Sequence, residues 1–163
     1  MAIDFSSSAV VSVNSTTVLN INSAGRVSTP LNPAFNIQSG PATAQGNPVI
    51  AAGGVAFNIG SCYNSTNGRF TAPVAGVYHF TWHQLLPYAT TGRFDVSIRL
   101  NGNVYPGTRF ILQKDTASTW RTLHTEGIIK MAVNDYVQIY YELGGAALYT
   151  DVNYGAFCGV LVG

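Results

Sequence analysis

The sequence predicts an all-β fold, a sandwich or jelly roll, on three observations. Seventeen glycines and seven prolines punctuate the 163 residues at about the ten-residue spacing of short antiparallel strands. Between these breaks apolar residues alternate with period two instead of recurring every three or four positions. The uncharged polar residues include 12 Ser, 15 Thr and 13 Asn, types that suit turns and the polar faces of strands better than helices.

Each element follows in order. Val11-Ser12-Val13 and Val18-Leu19-Asn20-Ile21-Asn22 alternate weakly around Asn14-Ser15-Thr16-Thr17, and Pro30 and Pro33 close this section. Residues 1–33 are therefore expected to form an extended arm or small hairpin, with Val11, Val13, Leu19 and Ile21 as its anchoring residues. Its apolar set is too small to stand alone. The stretch 40–54 reads as a loop. Strands are then expected at Val55–Ile59 and Val77–Leu86, and at Phe94–Leu100 with Asp95, Ser97 and Arg99 on its polar side. Val137–Tyr141 and Ala156–Val162 complete the set, with Asn67-Gly68, Asn101-Gly102, Asn134-Asp135 and Gly144-Gly145 as turns. Ile128–Leu143 lacks Gly and Pro, but its β-branched content and the Asn134-Asp135 break predict two strands instead of a helix.

Composition bounds the function. Hydrophobic residues make up 47% and mean hydropathy is +0.17, which excludes a disordered chain. Charged residues are only 9%, against about a quarter in ordinary domains. So weakly charged a surface favours association and predicts flanks covered by further copies. A net charge of +1 without any Lys/Arg cluster gives no basis for binding nucleic acid. No run approaches the roughly 18 apolar residues of a membrane span, and Met1–Phe5 carries no basic, secretory-type start. The expectation is a soluble protein assembled in the cytoplasm. Cys62 and Cys158 are too few for a disulfide framework. They are expected as buried thiols, with a bridge left open should their strands be neighbours.

From Ala34 onward the sequence resembles the C1q-like family. The residues that carry this are Ala34-Phe35, Phe57, the run Tyr63–Pro73 with Asn64, Gly68 and Phe70, and Gly76-Val77-Tyr78-His79-Phe80-Thr81-Trp82. Leu100-Asn101-Gly102, Asn134-Asp135-Tyr136-Val137 and Phe157-x-Gly159-x-Leu161 follow in the same order as in that family. Tyr78, Phe80 and Trp82 stand at i, i+2 and i+4, so they project from one strand face, while Gly76 fits a turn that needs a permissive backbone. The resemblance implies a ten-strand jelly-roll head over 34–163 that packs as a homotrimer, with Phe57, Phe70, Tyr78, Phe80, Trp82 and Phe157 in its core. No collagen-like repeat precedes the head within this sequence, and the Ser/Thr/Asn-rich arm resembles virion proteins of bacteriophages.

No catalytic constellation is visible. His79 and His83 are four apart, which on a strand separates them by about 13 Å, too far to share an ion. His124 with Glu126 lacks a positioned nucleophile such as G-x-S-x-G supplies. The seven carboxylates are scattered singly. No enzyme, cofactor or metal is expected, although some family members hold calcium near the trimer apex, where Asp135 or Asp151 would contribute. The loops holding Tyr88 and Arg93, Tyr105 and Arg109, and Trp120 and Arg121 combine aromatics and Arg with small polar residues, the composition of contact surfaces. The expected function is a non-enzymatic trimer on a phage virion, bound to other capsid or tail proteins by its arm. It would act as a decoration protein or as a short tail-fibre knob that binds a host glycan or protein. The alternative is a free, lectin-like or ligand-binding trimer.

Overall fold

The computed structural model describes residues 9–38, 46–49, 51, 53–144, 148–149 and 151–163. Expectations placed on Met1–Phe5, on much of 40–54 and on Gly145 lie outside these residues. The chain divides into two compact units, Met1–Asn32 and Pro33–Gly163.

In the first unit, β1 (Ala9–Val13) and β2 (Thr16–Ile21) form an antiparallel hairpin, and β3 (Val27–Ser28) adds to β2. Asn14 and Ser15 turn the hairpin at φ of 49° and 63°, the left-handed pair that matches strand twist. The Asn22 side chain accepts the Ala24 and Arg26 amides, each at 3.0 Å, and closes the second turn. Val11 and Val13 are more than half exposed, while Leu19 and Ile21 are half-buried.

The head runs through β4 (Ala34–Gln38), β5 (Asn47–Pro48), β6 (Gly54–Ile59), β7 (Tyr63–Asn64), β8 (Arg69–Thr71), β9 (Gly76–Leu85), β10 (Gly92–Leu100), β11 (Asn103–Val104), β12 (Phe110–Lys114), β13 (Thr122–Met131), β14 (Tyr136–Leu143) and β15 (Gly155–Leu161). They make two sheets. One is five-stranded, ordered β13-β9-β15-β4-β6; the other is seven-stranded, built on β11-β10-β14-β8-β7 with β12 on β10 and β5 on β14. The two sheets are the layers of a jelly roll, with twelve strands among the described residues of the head, of which β5, β7 and β11 are two-residue ladders.

Alternation decides the packing. Along β9, Tyr78, Phe80 and Trp82 point inward and are buried, as are Phe94, Val96 and Ile98 of β10. Phe35 sits at the centre of an aromatic cluster, 4.9 Å from Phe157, 5.0 Å from Tyr63 and 5.4 Å from Phe70 between ring centroids. Offset and edge-on rings of this kind add to the burial term. Gly159 makes room for them: a Cβ there would stand 2.5 Å from a Phe35 ring carbon and 2.7 Å from one of Phe80.

Several expectations need correction. Phe57 is not in the core of the head. It lies on the edge strand β6 opposite Asn36, faces away from the seven-stranded sheet, and is 44% exposed. Asp95 and Ser97 are buried, although the alternation put them on a polar face. Gly76 is required by close approach rather than by its turn, because a Cβ would meet Leu161 at 2.5 Å and the Gly163 carbonyl at 2.8 Å. The stretch 40–54 also supplies β5 and the buried Val49 and Ala51. Cys62 lies in the turn before β7, and both thiols are free. Burial pushes Cys62 up to about 11 and raises Cys158 as well.

Candidate functional site

The contact-loop residues separate into three groups. Tyr88 and Trp120 come together, their rings 5.1 Å apart, and Arg121 is next along the chain, its carbonyl accepting the Leu86 amide at 2.8 Å. Arg93 and Arg109 instead converge on the buried carboxylate of Asp95, at 2.7 and 2.8 Å. Burial would raise the Asp95 pKa, but these guanidinium hydrogen bonds and charges outweigh it and hold the carboxyl below its ordinary value. The two arginines therefore have a structural task. Tyr105 packs half-buried against the core.

Around Tyr88 and Trp120 the fold builds an aromatic cleft at one end of the five-stranded sheet. Leu85, Trp120, Tyr149, Asp151 and Tyr154 line a concavity of about 340 Å³. Trp120 meets Tyr149 edge-on at 5.4 Å, and Tyr149 lies 6.2 Å from Tyr154. Tyr88, Trp120 and Tyr154 are 44%, 48% and 52% exposed, so their faces stay open. The walls are held from behind. The buried Gln84 amide donates to the Tyr149 carbonyl at 2.8 Å, and the Tyr149 amide donates to the Leu85 carbonyl at 3.3 Å. Asp151 Oδ1 accepts the Asn153 backbone and side-chain nitrogens at 3.0 and 2.9 Å, which caps the 3-10 turn Val152–Tyr154. Lys114, 1% exposed, gives its ammonium to the carbonyls of Pro87, Tyr88 and Thr90 at 3.0, 2.9 and 2.5 Å. That cation fixes the loop that carries Tyr88.

Sequence reading found Tyr88 and Trp120 but missed Tyr149, Tyr154 and Lys114. The signal for the tyrosines was a pair of aromatics flanking Asp151 just before the last strand. Of the two carboxylates either of which is expected to contribute to a calcium site, Asp151 lines this cleft. Asp135 belongs to the β13–β14 turn, where its oxygens accept from Asn101 and the Ala132 amide, both at 2.7 Å. His79 and His83 lie on the outward side of β9; His83 is opposite His124, whose ring packs on Phe110 at 4.1 Å. Among the described residues no His, Cys, Asp and Glu side chains group as metal ligands.

A second surface is the outward face of the five-stranded sheet. Register places Ile59, Ala34, Val160, His79 and Ile128 in one row, and Phe57, Asn36, Cys158, Thr81 and Glu126 in the next. Phe57, Ile59, Val160 and Ile128 are 44%, 37%, 38% and 65% exposed. A shallow concavity of about 220 Å³ lies within these rows.

Two sheets in this order define the class: a jelly-roll sandwich with one weakly charged, partly apolar outer face. The C1q domain model matches residues 34–162, and the chain belongs to the C1q domain family. It is 28% identical to adipolin of Xenopus tropicalis over 66% of this chain and 36% of that protein. It is 30% identical to complement C1q tumor necrosis factor-related protein 3 of Mus musculus over 71% of this chain and 45% of that protein. The chain thus spans less than half the length of these curated relatives. Among solved structures, the globular domain of the zebrafish complement 1qA protein superposes at a TM-score of 0.61 with 18% identity, covering 80% of this chain and 98% of that one. Murine APRIL gives 0.61 with 11% identity, over 80% and 99%. At such identities the likeness is one of fold.

Proposed function

We propose that this chain is a non-enzymatic binding head that works as a homotrimer, mounted on a virion surface by its N-terminal unit as a decoration protein or short fibre knob. The observation that carries the trimer is the outward face of the five-stranded sheet. Phe57, Ile59, Val160 and Ile128 expose apolar side chains among Ala34, Asn36 and His79 on a molecule with only 9% charged residues. Patches of that kind mark association surfaces, and two further copies of the head would cover it. Support for mounting comes from the arm. Val10, Val11, Val13 and Val27 are 53–62% exposed, and no described arm residue belongs to the buried core, so the unit has an apolar surface to offer another protein. The relatives named above are vertebrate proteins, and the virion reading rests on the arm alone. The aromatic cleft favours a second reading, a free lectin-like trimer.

Sedimentation at micromolar concentration tests the trimer. The wild-type chain is expected at three times its monomer mass, and Phe57→Asp at the monomer mass with an unchanged far-UV spectrum, because Phe57 lies outside the core. A wild-type chain that sediments as a single copy overturns the reading.

A further inference from the structure

We propose that the aromatic cleft of Leu85, Trp120, Tyr149, Asp151 and Tyr154 is a carbohydrate subsite that takes one uncharged pyranose residue, such as the terminal sugar of a glycan. The inference rests on the reading of this chain as a binding head and names what that head binds. Its warrant is the match between the walls and the two faces of a sugar. A pyranose ring offers an apolar C–H face and a rim of hydroxyls. The cleft offers open indole and phenol faces set at 68° for Trp120 and Tyr149 and 55° for Tyr149 and Tyr154. Amphipathic rings of this type hold an apolar body while their polar ends stay available.

The polar atoms around the cleft are free to bond. Trp120 Nε1, the hydroxyls of Tyr149 and Tyr154, and Asp151 Oδ2 make no hydrogen bond among the described residues. They supply donors and an acceptor in a small space, which an array of hydroxyls satisfies. Two other ligand classes fit less well. Among the described residues Asp151 is the sole charged liner of the concavity, so an acidic sugar meets repulsion. A quaternary ammonium would use the rings and the carboxylate but leave the indole N–H and both phenols without partners. A volume of about 340 Å³ is near the lower end of the roughly 300–1,000 Å³ range of small-ligand sites, enough for one ring rather than a chain.

Pre-organisation and position agree. Gln84 and the Asp151 cap fix the walls, and Lys114 fixes the loop whose Tyr88 packs on Trp120, before any ligand arrives, which lowers the ordering cost of binding. The cleft is at the Leu85 end of β9. Pro33, where the head begins, bonds Leu161 at the Gly76 end, about 30 Å away along a ten-residue strand. Within the head, the cleft and Pro33 are thus at opposite ends.

The test is saturation-transfer NMR on the full chain with the methyl glycosides of glucose, galactose, mannose and N-acetylglucosamine, and with choline and N-acetylneuraminic acid as separate arms. At least one neutral glycoside is expected to receive saturation at its ring C–H protons. Trp120→Ala should weaken that glycoside about tenfold, and Asp151→Asn, which can still cap the turn, should weaken it as well. Transfer to choline or to the acidic sugar but to no neutral glycoside overturns the proposal, as does silence from every neutral glycoside or an unchanged affinity in Trp120→Ala. Sedimentation of the same samples separates the two readings. A trimer that binds no neutral sugar sinks the cleft alone, whereas a monomer that binds one sinks the trimer and leaves the cleft standing.

Discussion

Asp95 shows how far a single position can depart from its pattern. Alternation along β10 put it on a polar face, yet it is buried because Arg93 and Arg109 fold over it from β10 and the segment before β12. Burying a carboxylate is tolerated when charge-assisted hydrogen bonds replace water. Glu142 is treated alike: burial acts to raise its pKa, while Arg99 and Ser97 outweigh that and lower it. The unfolded chain therefore takes up these protons first as acid is added. The stabilisation is complete above the unfolded carboxyl pKa values of about 4 and is lost as pH falls through the lower folded values. Urea melts between neutral pH and about pH 3 should show stability decreasing with acid, and Asp95→Asn should flatten that slope while lowering stability at neutral pH. An unaltered acid slope in the variant would rule out this role. Period two reports which side of a strand a residue occupies, not what a neighbouring arginine then covers, and for that reason Asp95 could not be read from the sequence.

At the scale of elements, the strands rich in aromatics were legible and those between 103 and 127 were not. Tyr78, Phe80 and Trp82 announce β9 by themselves. β12 and the start of β13 carry weaker alternation, Phe110 to Lys114 ending in a buried cation, which a pattern of apolar residues does not register. Lys114 matters because three backbone carbonyls of the 87–90 loop depend on one ammonium. Lys114→Met would keep the volume and leave those carbonyls without their donor, at a cost of about 2–3 kcal/mol. Denaturant unfolding should show that loss, and the affinity for the responding glycoside should fall with it, since Tyr88 rides on the same loop. A variant as stable as wild type would show that water replaces the lysine freely.

For the whole molecule, the order of motifs from Ala34 to Leu161 was enough to foresee the jelly-roll sandwich, because such a fold is specified by alternation and turns along the entire chain. The cleft was only half legible. Tyr88 and Trp120 stand in loops of contact composition, but Tyr149 and Tyr154 reach them through sheet topology, which brings the ends of β9, β13 and β15 to one place. Phe57 reads as core from the family motif, but it stands on the edge strand β6 and faces outward. Deleting residues 1–33 tests the division of labour. The truncated head should fold and sediment like the intact protein, since the two units are separately compact, and should no longer attach to particles. Full occupancy by the truncated head in labelled electron micrographs would remove the arm's anchoring role and favour the free lectin-like trimer.

The entry of the chain at Pro33 also sets the mechanics of the head. β4 starts there and runs between β15 and β6, with five paired positions on each side. A molecule gripped at its tip and tugged from Pro33 feels tension along the axis of β4. The hydrogen bonds of both ladders would then be loaded together in shear rather than peeled one at a time.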